Sequence, residues 1–176
     1  MKLSDDDFSL FGLPPRQQLD RAALDARRRE LQAATHPDRY AADGAAAQRV
    51  AMQWSVRVNE AWQRLKDPLS RAAYLCEQRG VPIAAESNTA MPREFLQQQM
   101  AWREALEELD DAADAAAVQT LDDAVAAQER AMHQRLVALL DEQDDAHAAA
   151  AQVRALMFVT RFRETLAQRL ERLAAA

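Results

Sequence analysis

Apolar residues recur at intervals of three or four along most of this chain, which is the spacing of amphipathic helices. The most regular stretch predicts a helix over 45–66. Its apolar face carries Val50, Trp54, Val58, Ala61 and Leu65. An earlier helix begins after Asp20, a favourable N-cap residue, and ends before Pro37, because the residue preceding a proline avoids helical backbone angles. The first part of the chain is therefore predicted to contain two antiparallel helices.

The earlier helix separates apolar from basic side chains when its residues are projected at 100° intervals. We expect its core face to contain Ala23, Leu24, Leu31 and Ala34, and its opposite face to contain Arg21, Arg28, Arg29 and Gln32. A shorter helix follows the second one, with Asp67 as its N-cap residue, Pro68 at its first position and Gly80 after its last turn. The segment 36–44 is then an exposed loop at the tip of the helix pair.

The second half of the chain has a helical pattern throughout. Three helices are predicted, over 92–111, over 116–140 and over most of the remaining residues, joined by short connections. Their apolar faces carry, in order, Phe95, Trp102, Leu106 and Leu109; Val118, Leu121, Val125, Met132, Leu136 and Leu139; and Val153, Leu156, Leu166 and Leu170. Such helices bury their apolar faces by forming an antiparallel bundle.

Three large apolar residues fall outside these faces. Leu96 and Met100 lie about 100° to 140° around the first bundle helix from its core face, and Phe158 is similarly displaced on the third. We therefore expect all three side chains to be exposed. Glu104 and Glu108 continue the i, i+4 row that begins at Leu96, so the apolar surface has an acidic edge. Single exposed apolar residues are common on soluble proteins, so the pattern alone does not distinguish a binding surface from an ordinary helix face.

Composition strengthens the prediction of an all-α protein. The 176 residues include only three glycines and six prolines, which favours long helices over turns. The strongest cluster of turn-forming residues is GVPIAAESNTAMP, which begins at Gly80, and we place a linker over 80–91. Residues 1–91 carry 13 basic and 12 acidic side chains, whereas residues 92–176 carry 9 and 16. The chain therefore divides into a nearly neutral first half and an acidic second half.

The same sequence disfavours several classes of function. It has no glycine-rich phosphate loop, no nucleophile motif and no metal-site spacing of its one Cys and three His residues, so we expect neither an enzyme nor a cofactor. The net charge of −6 argues against a nucleic-acid partner. No apolar run is long enough to cross a membrane and the N-terminus is acidic, so we expect a cytoplasmic protein without a membrane partner.

His36, Pro37 and Asp38 stand in succession between the two antiparallel helices. Three residues match by chance in many proteins, and Pro37 alone would serve to end a helix. The downstream stretch NEAWQRLKDPLSRAAYL, at 59–75, makes the match specific, and residues 1–79 resemble the J domain of DnaJ-type co-chaperones. The resemblance implies that the tripeptide docks on a DnaK-type chaperone and promotes its ATP hydrolysis. It assigns chaperone binding to His36, Pro37, Asp38, Arg28, Arg29 and Arg39.

A J domain followed by a compact three-helix bundle resembles the HscB family of iron–sulfur co-chaperones over essentially the whole chain. The opening DDDFSLFGLPP and the stretch FLQQQMAWREALEEL, at 95–109, carry this resemblance. It implies that the bundle at 92–176 binds an IscU-type scaffold and that the chaperone partner is HscA-like. It assigns scaffold binding to Leu96, Met100, Glu104, Glu108 and Phe158, while Gln97 and Ala101 depart from the family pattern. The alternative is a generic J-domain co-chaperone that delivers unfolded polypeptides to DnaK.

Overall fold

The structure, a computed structural model, describes residues 2–85, 90–110 and 114–175. Within these ranges the chain forms helices and no β-strand, so the predicted all-α fold is confirmed. The α-helices are α1 Asp7–Phe11, α2 Arg21–Thr35, α3 Ala45–Lys66, α4 Pro68–Gln78, α5 Arg93–Asp110, α6 Ala115–Val137 and α7 Ala146–Ala174. A 3₁₀ helix at Pro37–Asp43 joins α2 to α3, and a π-helical turn at Ala138–Glu142 follows α6.

Two compact units make up the chain, Met1–Leu75 and Cys76–Ala176. The first contains α1 to α3 and most of α4, and the second contains α5, α6 and α7. The sequence predicts a linker over 80–91, of which residues 86–89 lie outside the described residues. The assignment of domains with that linker between them stays a prediction.

The first unit is built around the pairing of α2 with α3. Asp20 caps α2 by accepting hydrogen bonds from the backbone N–H groups of Ala22 and Ala23, which have no acceptor within the helix. Asp67 caps α4 by accepting from the backbone N–H of Ser70 at 2.8 Å, so both predicted N-caps are confirmed. The buried core of this helix pair contains Leu24, Leu31, Ala51, Val58, Ala61 and Leu65.

Three residues that the sequence assigns to apolar faces are exposed instead. Ala23 and Ala34 lie at the edges of the buried stripe of α2, where a methyl group gains little from burial, and Thr35 is buried near them. Val50 is 51% exposed because it borders an open pocket of about 400 Å³ between the 3₁₀ helix and α3. Burial on α3 therefore begins at Ala51.

A buried charge holds the N-terminal segment to the rest of the first unit. The carboxylate of Asp7 is fully buried and forms ion pairs with Arg57 at 2.7 Å and Arg64 at 2.8 Å, both on α3. The adjacent Phe8 stacks on Tyr74 of α4, with ring centroids 5.9 Å apart. One of the acidic residues at the start of the chain is therefore buried, and its ion pairs hold this segment against α3.

In the second unit, α6 and α7 form an antiparallel pair. Gln152, early in α7, donates to the carbonyl oxygen of Met132, whereas Arg163, later in α7, reaches Asp122, which lies earlier in α6. The Arg163 guanidinium lies 2.9 Å from Asp122 and 2.8 Å from Glu129, and these hydrogen bonds raise the pKa of the arginine further. The ion-pair cluster therefore joins the later part of α7 to the central part of α6.

Aromatic rings pack α5 against α7. Phe95 meets Phe158 edge to face at 5.8 Å, and Trp102 stacks on Phe162 at 6.0 Å. Because residue numbers rise together in these two pairs, α5 runs parallel to α7 and antiparallel to α6. The predicted three-helix bundle is confirmed. Its buried interior contains Val118, Val125, Leu136, Val153, Leu156, Val159 and Leu166.

One arginine of α7 binds two backbone carbonyl groups that precede α5 in the chain. Arg154 is 6% exposed and donates to the carbonyl oxygens of Ile83 at 3.1 Å and Ala90 at 2.7 Å. The side chain of Ile83 is itself buried. Helical spacing does not indicate this role, since a basic residue in an apolar stretch gives no periodic signal.

Candidate functional site

The connection between α2 and α3 is fixed through its backbone. Helix α2 ends at Thr35, because Pro37 follows, and the end of a helix leaves carbonyl groups without helical donors. Side chains of the 3₁₀ helix and of α3 supply those donors. The bonds are Arg39 Nη1 to the Ala33 oxygen at 3.0 Å, the Tyr40 hydroxyl to the Ala34 oxygen at 3.0 Å, and Ser55 Oγ to the Thr35 oxygen at 3.1 Å.

Two polar side chains of the tripeptide are presented to solvent on this fixed backbone. Those of His36 and Asp38 are 58% and 90% exposed. His36 Nδ1 accepts a hydrogen bond from the backbone N–H of Asp38 at 3.3 Å, which orients the ring. Pro37 begins the 3₁₀ helix, where the sequence predicts only a loop. The segment therefore offers an imidazole ring and a carboxylate to a partner.

The three arginines assigned to chaperone binding have different surroundings. Arg29 is exposed. Arg39 is also exposed, but its guanidinium caps α2. Arg28 is half-buried, with its guanidinium carbon 3.6 Å from the centroid of the Trp62 ring. It packs there because an aromatic face attracts a cation, and the apolar stripe read from the sequence does not include Trp62.

Trp62 lies at the centre of a cationic cluster that joins α2 to α3. Its Nε1 donates to Asp25 Oδ1 at 2.8 Å, and the charged groups of Arg21 and Lys66 lie 5.5 Å and 4.3 Å from its ring centroid. Hydrogen bonds from Arg21 and then from Trp62 lower the pKa of the Asp25 carboxyl. The basic face of α2 therefore has a fixed arrangement of charge that no sequence spacing indicates.

The second candidate surface follows α5. Leu96 and Met100 are 40% and 60% exposed, as predicted, and Glu104 and Glu108 are exposed further along the same row. Helix α5 has no basic residue in its last turn, where carboxylates are unfavourable because the helix dipole places partial negative charge there. Helix stability therefore does not explain the acidic end of this row.

Phe158 does not lie outside the core as the sequence predicts. It is half-buried, contacts Phe95 and stacks on Phe162 at 5.9 Å. The prediction assumes one buried stripe on α7, whereas residues 152–156 are all buried because this helix packs against α5, α6 and the segment around Ile83. Phe158, the aromatic residue of the predicted surface, therefore packs partly inside the bundle.

Neither candidate surface contains a set of metal ligands. Among residues 2–85, 90–110 and 114–175, no group of three or more His, Cys, Asp or Glu side chains is placed to hold a metal ion. Across those same ranges, no helix has the length and apolar character needed to span a membrane. What the two surfaces offer is charge, hydrogen-bonding groups and exposed apolar area.

Comparison with known proteins places the chain in a family. The family model described as the HSCB C-terminal oligomerisation domain matches residues 91–167. The Co-chaperone protein HscB homolog of Bordetella petrii is 52% identical over 164 residues, which cover 93% of this chain and 95% of that protein. The chain belongs to the HscB co-chaperone family. The HscB homolog of Burkholderia multivorans is 50% identical over 176 residues, or 98% of each chain.

Solved structures of HscB proteins share this fold. Chaperone HscB from Vibrio cholerae superposes with a TM-score of 0.87 at 36% identity, over 96% of this chain and 99% of that one. Human co-chaperone protein HscB gives a TM-score of 0.85 at 27% identity, over 96% and 83%. The resemblance to HscB seen in the sequence is confirmed. The relatives are named co-chaperones, which denotes a role other than that of an enzyme.

Proposed function

We propose that this chain stimulates the ATPase of a specialised, HscA-like DnaK-type chaperone and delivers an IscU-type scaffold to it during iron–sulfur cluster assembly and transfer. In this proposal residues 1–79 are the J domain, 80–91 the linker and 92–176 the scaffold-binding domain. The chain acts in the cytoplasm as an adaptor without catalysis of its own. Membership of the HscB family supports this role, and the two surfaces supply its physical basis.

The exposure of His36 and Asp38 on a hydrogen-bonded backbone is the observation that carries the proposal. A segment ordered before binding loses less conformational entropy when a partner docks. A carboxylate that is 90% exposed contributes little to the stability of its own chain, so it is available for a partner.

The basic residues assist this docking in two ways. Arg29, exposed on α2, attracts an acidic chaperone surface over a distance and so raises the association rate. Arg28 and Arg39 order the surface, one by packing on Trp62 and the other by capping α2, and Pro37 fixes the backbone between His36 and Asp38.

The row along α5 supplies the scaffold-binding surface. Leu96 and Met100 are large exposed apolar side chains one turn apart, the kind of group that provides affinity when a partner buries it. Glu104 and Glu108 select a partner with basic residues and affect mainly its rate of association. Phe158 contributes the exposed part of its ring, which adjoins α5 through Arg103.

Steady-state ATP hydrolysis by the HscA-like chaperone tests the J-domain assignment. Asp38→Asn should abolish stimulation without changing thermal unfolding, because an exposed carboxylate contributes less than about 0.5 kcal/mol to stability. His36→Gln should act in the same way. Asp43→Asn, an exposed position in the same 3₁₀ helix, is the matched control and should stimulate like the parent chain. Full stimulation by Asp38→Asn would contradict the proposed mechanism.

Scaffold binding separates this function from the generic alternative. Titration calorimetry with an IscU-type scaffold should show saturable binding by the parent chain. A generic J-domain co-chaperone would bind no scaffold, would stimulate a general DnaK, and would keep a denatured model protein from aggregating. That combination of results would replace the proposed function with the alternative.

A further inference from the structure

Arg103 is a cation beside the row of apolar and acidic residues on α5, next to Leu96 and Met100. It lies three residues after Met100 and seven after Leu96, so the three side chains share one face of the helix. Its guanidinium carbon is 5.2 Å from the centroid of the Phe158 ring on α7. Arg103 therefore bridges the two helices that form the candidate scaffold surface.

Among the described residues of the second unit, no acceptor uses the hydrogen-bonding capacity of Arg103. Glu104 is its neighbour in sequence and Glu107 lies one turn further on, yet within the described part of the chain no carboxylate lies within ion-pair distance of the guanidinium. Its described partner is the face of an aromatic ring, which holds a cation without occupying its N–H groups. An exposed arginine thus keeps its planar set of donors available in a defined position.

This arrangement differs from that of Arg28, Arg39 and Arg163, whose donors have acceptors within the chain. Arg28 lies over Trp62 but also donates to Asn59, and Arg39 donates to a helix carbonyl. Arg163 donates hydrogen bonds to Asp122 and Glu129 within the bundle. Arg103 has a comparable aromatic support and no such acceptor among the described residues.

We propose that Arg103 binds a carboxylate of the scaffold protein and fixes the register in which that scaffold docks on α5 and α7. The inference rests on the proposed function and names the chemistry of one contact within it. A guanidinium accepts a carboxylate through two parallel hydrogen bonds, a geometry that an ammonium group does not reproduce. One cation beside an acidic row favours a scaffold that carries a carboxylate next to its basic residues. In any other register a basic residue of the scaffold would face Arg103, or its carboxylate would face Glu104 or Glu108.

Binding kinetics with the IscU-type scaffold test the inference on the full chain. Arg103→Gln should weaken binding about tenfold through faster dissociation, since it removes a charge-assisted hydrogen-bonded pair. Arg103→Lys should restore only part of the affinity, because it keeps the charge and loses the planar donor pair. Arg130→Gln, which removes the same charge from an exposed position on α6, is the matched control and should bind like the parent chain. Scaffold-free ATPase stimulation should be unchanged in all three variants, and thermal unfolding should shift only slightly in Arg103→Gln, which loses the contact of an exposed cation with the Phe158 ring.

A double-mutant cycle identifies the partner carboxylate. Each exposed Asp or Glu of the scaffold is changed to Ala in turn and measured against the parent chain and Arg103→Gln. One position should show a loss with the parent chain that disappears with Arg103→Gln. Equal affinities of Arg103→Gln and Arg130→Gln, or the absence of any coupled position, would overturn the inference while leaving the proposed function intact. A parent chain that binds no scaffold would overturn both.

Discussion

At the scale of single residues, several long-range contacts hold this chain in ways that local spacing does not indicate. Asp7 is one of three consecutive acidic residues, yet it alone among them is buried, between Arg57 and Arg64. The cap formed by Arg39 and the packing of Arg28 on Trp62 are of the same kind. Each of these contacts depends on which helices pack together in the fold. Residues that are distant in the sequence and meet in the fold produce no periodic pattern in the sequence. Because Asp and Arg side chains are mostly exposed in proteins, residue type alone predicts that these side chains lie on the surface.

Removing the charge of Asp7 should destabilise the first unit. Asp7→Asn leaves two guanidinium groups without their common partner, and breaking one side of a buried ion pair typically costs about 3 kcal/mol or more. The side chains of Arg57 and Arg64 are 20% and 44% exposed and stay partly hydrated, so we expect a loss of about 2 to 3 kcal/mol in the free energy of unfolding. Urea unfolding measures this loss.

Hydrogen exchange then locates the effect within the chain. Protection should fall in α1 and α3 and remain unchanged in α6 and α7, which belong to the other unit. Asp5→Asn removes the same charge two residues earlier, where the carboxylate accepts an exposed hydrogen bond from the backbone N–H of Lys2, and it serves as the control. If the two substitutions give the same loss, Asp7 is not the anchor of this segment.

At the scale of helices, the sequence predicts the bounds and the buried face of a helix well when the helix buries only one face. Helix α3 begins at Ala45 and ends at Lys66, as its apolar spacing predicts, because its core face is a single stripe. Helix α7 is different, since residues 152–156 are all buried and the stripe read from the sequence accounts for only part of that surface. The spacing therefore predicts an exposed Phe158, whereas its ring packs against Phe95 and Phe162. For this reason the proposed scaffold-binding surface is predictable along α5 and less so along α7.

Two parts of the scaffold surface should consequently respond differently to substitution. Leu96→Ser combined with Met100→Ser should weaken scaffold binding at least tenfold and leave thermal unfolding unchanged, because both side chains are exposed. Phe158→Ser should weaken binding and also lower the free energy of unfolding by about 2 kcal/mol, less than for a fully buried ring. Titration calorimetry and thermal unfolding separate the two effects.

The chain supplies a matched control for the double substitution. Met52 and Val56 are 55% and 50% exposed on α3, with the same i, i+4 spacing. Changing both to Ser makes an equivalent polar replacement in the other unit and should leave scaffold affinity unchanged. If the Leu96 and Met100 pair affects affinity no more than this control, the row on α5 is an ordinary solvated helix face.

At the scale of the whole molecule, the proposed role requires both surfaces to be on one chain. The nearly neutral first half carries His36 and Asp38, and the acidic second half carries the row along α5. A scaffold bound to the second unit is delivered at a raised local concentration only to the chaperone engaged by the same chain. A mixture of two variants that each lack one surface provides both scaffold binding and chaperone engagement, but on different chains. The scaffold bound by one chain is then not delivered to the chaperone engaged by the other.

An equimolar mixture of Asp38→Asn with the Leu96→Ser, Met100→Ser chain should therefore fail to restore scaffold-dependent ATPase stimulation. The first chain binds scaffold without an active J-domain tripeptide, and the second has the tripeptide but binds little scaffold. The parent chain at half the total concentration is the reference for steady-state hydrolysis. Adding Asp38→Asn to this reference should lower stimulation, because the variant competes for scaffold. Recovery of the reference rate by the mixture would show that the two units act independently, since a scaffold released by one chain would then serve a chaperone engaged by another.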